Sequence, residues 1–420
     1  MLDPRSELGP LHPQTEIVRQ RVQGVFAAAV HGSADASHAP EAIIRTLYAA
    51  HLALILLWCQ DRSEGQRASH AALELARDLL QFAGPFLAHP EAAATAQRFD
   101  SVVRPLIEPP EPPDIAASAR DILQRLFRHR RLASPAGECA LQPCEQCFAL
   151  HQSRVKYFLR NRSPIHMVLP AFPAKSPSRR KTLGPLPDKA EEVAIVYLGS
   201  IIAEITEVHP PGVRITICSD GHVFSDLVGV ADDDVTQYGR LIRDRIRSLG
   251  IESIDTFSMC DLYETADFQT MRESLVRQYA QPLEEIEDNI RRFEHARSLF
   301  NGIHRFIFEE QSDIRAEVSR TKLRDECKQI ALEVIQRSDA WSRLLADCFP
   351  AALRLSIHPQ HPHAAKIGVL LGDSDDAWQT PWHGVALKTA DGWKLVKRHQ
   401  AEALGARLIA PGTTDAHFEL

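Results

Sequence analysis

The sequence predicts an α/β protein: a mostly parallel sheet flanked by helices, ending in an antiparallel hairpin and preceded by an all-α helical domain. Three observations predict it. Short apolar runs alternate with long amphipathic segments after residue 114, every periodic segment before residue 108 has helical spacing, and Glu108-Pro-Pro-Glu-Pro-Pro113 separates the two textures. Alternating strands and helices cover both faces of a parallel sheet, the Rossmann-like arrangement. The expected organisation is a helical domain over 1–107, a Pro-rich linker over 108–113 and an α/β domain over 114–420. With 44% apolar residues in 420, each part can bury a core.

The elements follow in chain order. Pro40 opens a helix in which Ile43, Ile44, Leu47, Tyr48, His51, Leu54 and Ile55 recur at helical spacing. Residues 71–82 and 92–107 repeat the pattern, with Leu73, Leu75, Leu79 and Leu80 expected on the inner face, so the first domain should hold about four helices. Four prolines in residues 108–113 cannot continue a helix and favour a stiff spacer. A helix over 114–132 ends in Arg125, Arg128, Arg130 and Arg131. Strands are expected at 165–169, 214–218, 253–258, 353–357 and 367–371. Asp188 should cap a helix running to about Val208, and another follows Asp232-Asp-Asp234 to Leu249. Two long helices cover about 268–300 and 311–348. Residues 384–387 and 393–396, joined through Asp391-Gly392, read as a hairpin edging the sheet.

Composition excludes several classes. With 48 basic against 55 acidic residues, the net charge of −7 argues against capture of nucleic acid. Residues 1–12 lack the apolar stretch of a signal peptide, and the most apolar run, Leu52 to Cys59, falls far short of the roughly 20 residues that span a bilayer. Five of the eight cysteines stand isolated in apolar or helical patterns, which fits reduced thiols and a cytoplasmic location.

Three polar clusters interrupt the strands. Leu169-Pro-Ala-Phe-Pro-Ala-Lys-Ser176 ends a strand and presents Lys175 and Ser176, with Arg179, Arg180 and Lys181 behind. That density of cations suits a phosphate or carboxylate; the bland alternative is a solvated loop. Ser219-Asp-Gly-His-Val-Phe-Ser-Asp226 follows the next strand and collects Asp220, His222 and Asp226, enough for proton transfer near neutral pH. Its alternative is a turn in which Asp bonds its own backbone. Arg354-Leu-Ser-Ile-His358 sends Arg354, Ser356 and His358 to one strand face, followed by Lys366 and by Thr380-Pro-Trp-His383. His361 and His363 are assigned to a polar loop. Cys139, Cys144, Cys147 and His151 have ligand-like spacing for zinc, but buried thiols sharing a helix face are the default, and no metal is assigned. There is no G-x-G-x-x-G after a strand, P-loop, G-x-S-x-G or H-E-x-x-H.

Together with Leu183-Gly-Pro-Leu-Pro-Asp-Lys-Ala-Glu191, these motifs resemble the pyoverdine/dityrosine biosynthesis family, which contains the bacterial isonitrile synthases; the likeness covers about residues 114–398, departing at Ser178, where Asn is more usual. The resemblance implies a lyase that condenses the α-amine of tyrosine or tryptophan, tyrosine being the expected choice, with the C2 ketone of ribulose 5-phosphate and leaves that carbon as an isonitrile. It requires no cofactor. On this reading the proton-transfer candidates are Asp220, His222, Asp226, His358 and His383, and the substrate-binding candidates are Lys175, Ser176, Lys181, Ser219, Arg354, Ser356 and Lys366. Residues 52–80 are similar to the ligand-binding half of TetR-type regulators, which implies docking or a homodimer through the first domain. The competing reading is a non-catalytic ligand-binding or regulatory protein.

Overall fold

The computed structural model describes residues 15–31, 40–87, 90–107, 113–133, 139–263, 267–315, 317–376 and 378–420, and it divides into two compact units, Met1–Ala116 and Ala117–Leu420. Of the expected linker over 108–113, all but Pro113 lies outside the described residues.

The first unit contains α1 (Glu16–His31), α2 (Pro40–Gln60), α3 (Arg67–Leu87) and α4 (Pro90–Ile107). Val30, Ile43 and Ile44 form its small core, and an Arg45–Asp100 ion pair at 2.5 Å joins α2 to α4. Leu73, Leu75 and Leu79 do not face inward as expected but are 54%, 60% and 61% exposed. Leu73 and Leu75 are two residues apart, a spacing that cannot share a helix face. The apolar part of α2 is also longer than the eight-residue run implies. Residues 42–60 carry one charge, Arg45, and are long and apolar enough to cross a membrane, with mean hydropathy 1.8. In this fold Ile43, Ile44 and Tyr48 of that helix are buried.

The second unit is the α/β domain. α5 (Pro113–Arg128) and α6 (Glu145–Arg160) lead into β1 (Ile165–Pro170), α7 (Lys189–Thr206), β2 (Val213–Cys218), α8 (Gly221–Val228), α9 (Asp232–Ser248) and β3 (Ile254–Phe257). Then come α10 (Phe268–Tyr279), α11 (Leu283–Arg292), α12 (Glu294–Ile314), α13 (Arg320–Cys348), β4 (Leu353–Ser356) and β5 (Ile367–Gly368). The five strands pair in parallel in the order β3-β2-β1-β4-β5. Chain order reverses between β1 and β4, so a crevice opens at their carboxyl ends, where open α/β sheets bind ligands. One sheet face, with Ile165, Met167, Leu169, Ile215 and Leu353, packs in a core with α5, α6 and α7. The other packs Val168 and Cys218 against Trp341 and Leu344 of α13.

Three expectations need correction. The loop expected at 219–226 is the start of α8, with Asp220 at its N-cap. The two long helices are four, because Pro282 follows the end of α10 and Phe293 takes an extended conformation between α11 and α12. The hairpin of β6 (Val385–Thr389) and β7 (Gly392–Val396) does not edge the parallel sheet. After α14 (Arg398–Ala403), β8 (Arg407–Ile409) and β9 (His417–Glu419) join it in a separate sheet ordered β7-β6-β9-β8.

Gly221 fixes how closely α8 approaches the turn after β1. A Cβ there would lie 2.0 Å from the Pro173 carbonyl oxygen and 2.5 Å from Val235 Cγ1. Backbone cannot yield as a flexible side chain can, so Gly221→Ala should destabilise the protein by about 1–3 kcal/mol. Urea unfolding of the purified variant measures this; a midpoint equal to the parent's would show that the approach is not tight.

Candidate functional site

The site is built where β1, β2 and β4 end. Beyond β1, Phe172 is buried with φ 56°, a conformation costly for a large side chain and often kept for function. Its carbonyl accepts from Ser219 Oγ at 3.1 Å, and its ring lies 5.4 Å from that of Trp382. Ser176 N–H donates to the Trp382 carbonyl at 2.9 Å, so the first and third polar clusters are stitched together.

Lys175 is not presented at the mouth of its loop. The side chain is fully buried and Nζ lies 2.9 Å from each of Asp188 Oδ2, Glu191 Oε2 and the Pro381 carbonyl oxygen. One hydrogen bond and two ion pairs thus enclose the ammonium group, which corrects its assignment to a substrate anion. Burial opposes the ammonium charge, but Asp188 and Glu191 outweigh it and hold the pKa above the ordinary lysine value. Glu191 is pushed up to about 7 by burial, with Lys175 pulling the other way, and it accepts from Tyr238 OH at 3.1 Å. Asp188 and Glu191 also form the capping box of α7, so one set of groups starts that helix and neutralises the lysine.

Ser176 and Lys181 are likewise engaged. Ser176 Oγ donates to Glu310 at 2.7 Å, and Lys181 Nζ pairs with Glu310 Oε1 at 2.6 Å while lying 4.6 Å from the Phe306 ring centre. Thus α12 reaches the loop after β1 through a carboxylate that nothing in the local sequence singles out.

Of the two carboxylates in the second cluster, Asp220 forms no ion pair among the described residues. It is half-buried, its Oδ1 is sealed from water with no hydrogen-bond partner, and burial pushes its pKa up to about 7. His222 is not its partner. The ring stacks on Phe268 at 3.9 Å and 5°, and Nε2 lies 3.1 Å from Thr236 Oγ1 and 3.2 Å from the Asp232 carbonyl oxygen. Burial lowers its pKa. Asp226 is no free base either: Arg337 Nη1 lies 2.6 Å away and Arg272 Nε 3.5 Å. Arg272 also pairs with Asp232 and donates to the His222 carbonyl at 2.7 Å, fastening α8, α9 and α10 together.

In the third cluster, Arg354 donates through its two Nη atoms to the Ser342 carbonyl and Oγ at 3.1 and 3.2 Å, and its buried Nε has no partner. Among the described residues neither Arg354 nor Lys366 forms an ion pair, and burial lowers both pKa values, each also feeling other positive charge nearby. These two cations, rather than Lys175, retain capacity for an anion. Ser356 Oγ is taken by the His358 N–H at 3.1 Å. His358 is exposed, yet the protein crowded around it, with the Arg131 and Lys366 charges, pulls its pKa down to about 4. Trp378, 66% exposed, stands 6.1 Å from the His358 ring. His383 is pushed down to about 3 by burial and by the Lys181, His358 and Lys175 charges; its Nδ1 lies 3.0 Å from Thr380 Oγ1 and its ring 4.8 Å from Phe306. Both histidines are therefore neutral at pH 7. Arg131, buried, clamps this corner by donating to the Ile357 carbonyl at 2.5 Å and the Gln379 carbonyl at 2.9 Å.

The cysteines also differ from expectation. His151 is buried against Phe127 and does not join them. Cys144 is exposed at the N-cap of α6, and His363 comes from the loop between β4 and β5 to meet Cys139, Cys144 and Cys147.

Residues 155–409 match the model of the pyoverdine/dityrosine biosynthesis proteins. The chain is 45% identical over 300 residues to L-tryptophan isonitrile synthase AmbI2 of Fischerella ambigua, covering 71% of this chain and 91% of that protein. It is 38% identical over 301 residues to an L-tyrosine isonitrile synthase of Pseudomonas aeruginosa, covering 71% and 90%. The crystal structure of PvcA from Pseudomonas aeruginosa superposes with a TM-score of 0.68 at 35% identity, over 72% of this chain and 99% of that one.

Removing Lys175 tests its place in the core. Lys175→Met leaves Asp188 and Glu191 buried without their cation, at an expected cost of about 3–5 kcal/mol. Carboxyl groups whose folded pKa lies above the unfolded one lose stability as pH rises through the folded value. The variant should therefore suffer more at pH 8 than at pH 5. Parental urea stability at pH 8 would refute the buried triad.

Proposed function

The chain belongs to the pyoverdine/dityrosine biosynthesis family, and from that premise we propose that it converts the α-amine of an aromatic L-amino acid to an isonitrile, with ribulose 5-phosphate supplying the carbon. The observation that carries this reading is Asp220: a carboxyl group poised near neutrality by burial, without a cation, at the end of β2 beside the switch point. Condensation of an amine with a ketone, followed by eliminations, needs one group to take protons from carbon and return them to departing oxygen. A carboxyl group of pKa about 7 is suited to both.

Arg354 and Lys366 are assigned to the substrate anions, a carboxylate and a phosphate, whose charge would relieve one buried and one half-buried cation. His358 and His383, neutral, act as hydrogen-bond partners for hydroxyl groups. Trp378 offers an exposed face for an aromatic side chain. Between tryptophan and tyrosine, the higher identity to the tryptophan enzyme favours tryptophan, against the earlier expectation. The reaction is a lyase chemistry that draws on no resident cofactor in this scheme, and the eight free cysteines fit a cytoplasmic setting. The exposed Leu73, Leu75 and Leu79 favour self-association through the first unit.

Incubation with tryptophan or tyrosine plus ribulose 5-phosphate should yield an isonitrile detectable by mass. Asp220→Asn should lower turnover roughly 10²–10⁴-fold. Because the folded pKa of Asp220 is raised, its contribution to stability is lost as pH climbs from about 4 towards 7, so the same variant should be more stable than the parent at pH 8. Parental turnover in a folded Asp220→Asn protein would move the base elsewhere.

A further inference from the structure

We propose that Cys139, Cys144, Cys147 and His363 bind one zinc ion that ties the start of α6 to the loop joining β4 and β5. The four donor atoms all lie within 4.8 Å of one another. Cys144 Sγ and Cys147 Sγ are 3.8 Å apart, and His363 Nε2 is 3.2 Å from Cys144 Sγ and 3.7 Å from Cys139 Sγ. A zinc tetrahedron with bonds of about 2.3 Å to sulfur and about 2.0–2.1 Å to nitrogen has edges of about 3.8 Å between sulfurs and about 3.6 Å between sulfur and nitrogen. The Cys144–Cys147 and Cys139–His363 separations match these edges, the Cys144–His363 one is about 0.4 Å shorter, and the whole set, within 4.8 Å, needs only small side-chain shifts to close on an ion. They are too long for a disulfide, whose sulfurs lie about 2.05 Å apart, and a set this tight encloses a single ion rather than an iron–sulfur cluster.

The chemistry of the donors narrows the metal. Three thiolates and one imidazole are a soft, closed set with no place left for a substrate, the composition of a structural zinc site and not of a magnesium or calcium one. Backbone geometry supports the knuckle: Cys147 N–H donates to the Cys144 carbonyl at 3.0 Å, and Arg130 Nη2 donates to the Cys139 carbonyl at 2.7 Å, bringing positive charge beside the thiolates. The His363 ligand comes from a loop 224 residues beyond Cys139 that runs from His358 to Lys366, both lining the candidate site. The metal would therefore hold in place the loop that carries a neutral imidazole and an anion-binding cation, without touching substrate.

Metal analysis of the full chain, purified under reducing conditions with one equivalent of zinc and then desalted, tests this. About one zinc per chain is expected in the parent and in Cys260→Ser, whose thiol lies outside the cluster. Cys144→Ser and His363→Ala should bind zinc at least tenfold more weakly, whereas His363→Cys, which restores a four-ligand set, should keep it. Cadmium in place of zinc should give thiolate-to-metal absorption that Cys144→Ser diminishes. A parent that retains no zinc after desalting, or a folded His363→Ala that retains as much as the parent, would overturn the site. A Cys144–Cys147 disulfide found by mass in metal-free, unreduced protein, with zinc failing to bind after reduction, would do the same.

Discussion

A single buried ammonium group organises the ligand end of this sheet. Lys175 Nζ gathers a carboxylate from the N-cap of α7, a second from its first turn and a carbonyl from the Pro381–His383 turn, each at 2.9 Å. Three segments distant in sequence must converge before any of these charges can leave water. Because a buried ion with a missing partner is far worse than a complete set, the arrangement is close to all-or-none. The turn after β1, the capping of α7 and the placement of Trp382 and His383 are all set by that one condition. Its neighbour Glu310 repeats the device on a smaller scale, anchoring α12 through Ser176 and Lys181.

The charges left over have a consistent distribution. Acids near the crevice are paired with cations, as Asp226 is with Arg337, except Asp220, whose environment supplies burial and no positive partner. Lys175, Lys181, Arg272 and Arg337 are paired with acids, whereas among the described residues Arg354 and Lys366 form no ion pair. The two histidines between them are neutral. An acid after β2 and two cations, one in β4 and one just before β5, are electrostatically unsatisfied in isolation. A ligand carrying anionic groups and exchangeable protons would satisfy them together.

Much of the scaffold was legible because its signals are local. Four of the five parallel strands lie within one residue of their apolar runs, β5 stopping three residues short, and Asp188 was recognisable as a cap from its place before the Ala190–Ile205 pattern. What could not be read is what depends on partners far along the chain. The cation at Lys175 looked available because Asp188 and Glu191 read only as helix-start residues. Asp226 looked like a base because Arg337 is 111 residues away. Local spacing drew His151 towards the cysteines, whereas the imidazole that reaches them is His363, 219 residues beyond Cys144. Pro282 was a visible breaker, but the amphipathic pattern continued across it and masked the end of α10. Asp220 alone of these groups has its setting legible locally, because burial at a strand end requires no distant partner.

The polar stitches that close the crevice span very long stretches of chain. Lys175 meets Pro381 206 residues on, Ser176 meets Glu310 after 134, and Arg131 meets Gln379 after 248. Loop-closure entropy must be overcome before such contacts return anything, whereas the β1–β2 pairing and the helices are comparatively local. The contacts at this end of the sheet therefore carry the larger share of the loop-closure cost. A nascent chain ending before residue 381 has β2 and the helix that Asp220 caps, but lacks the turn that Lys175 binds. The segment from Gln379 to His383 is thus the last of these partners to be synthesised.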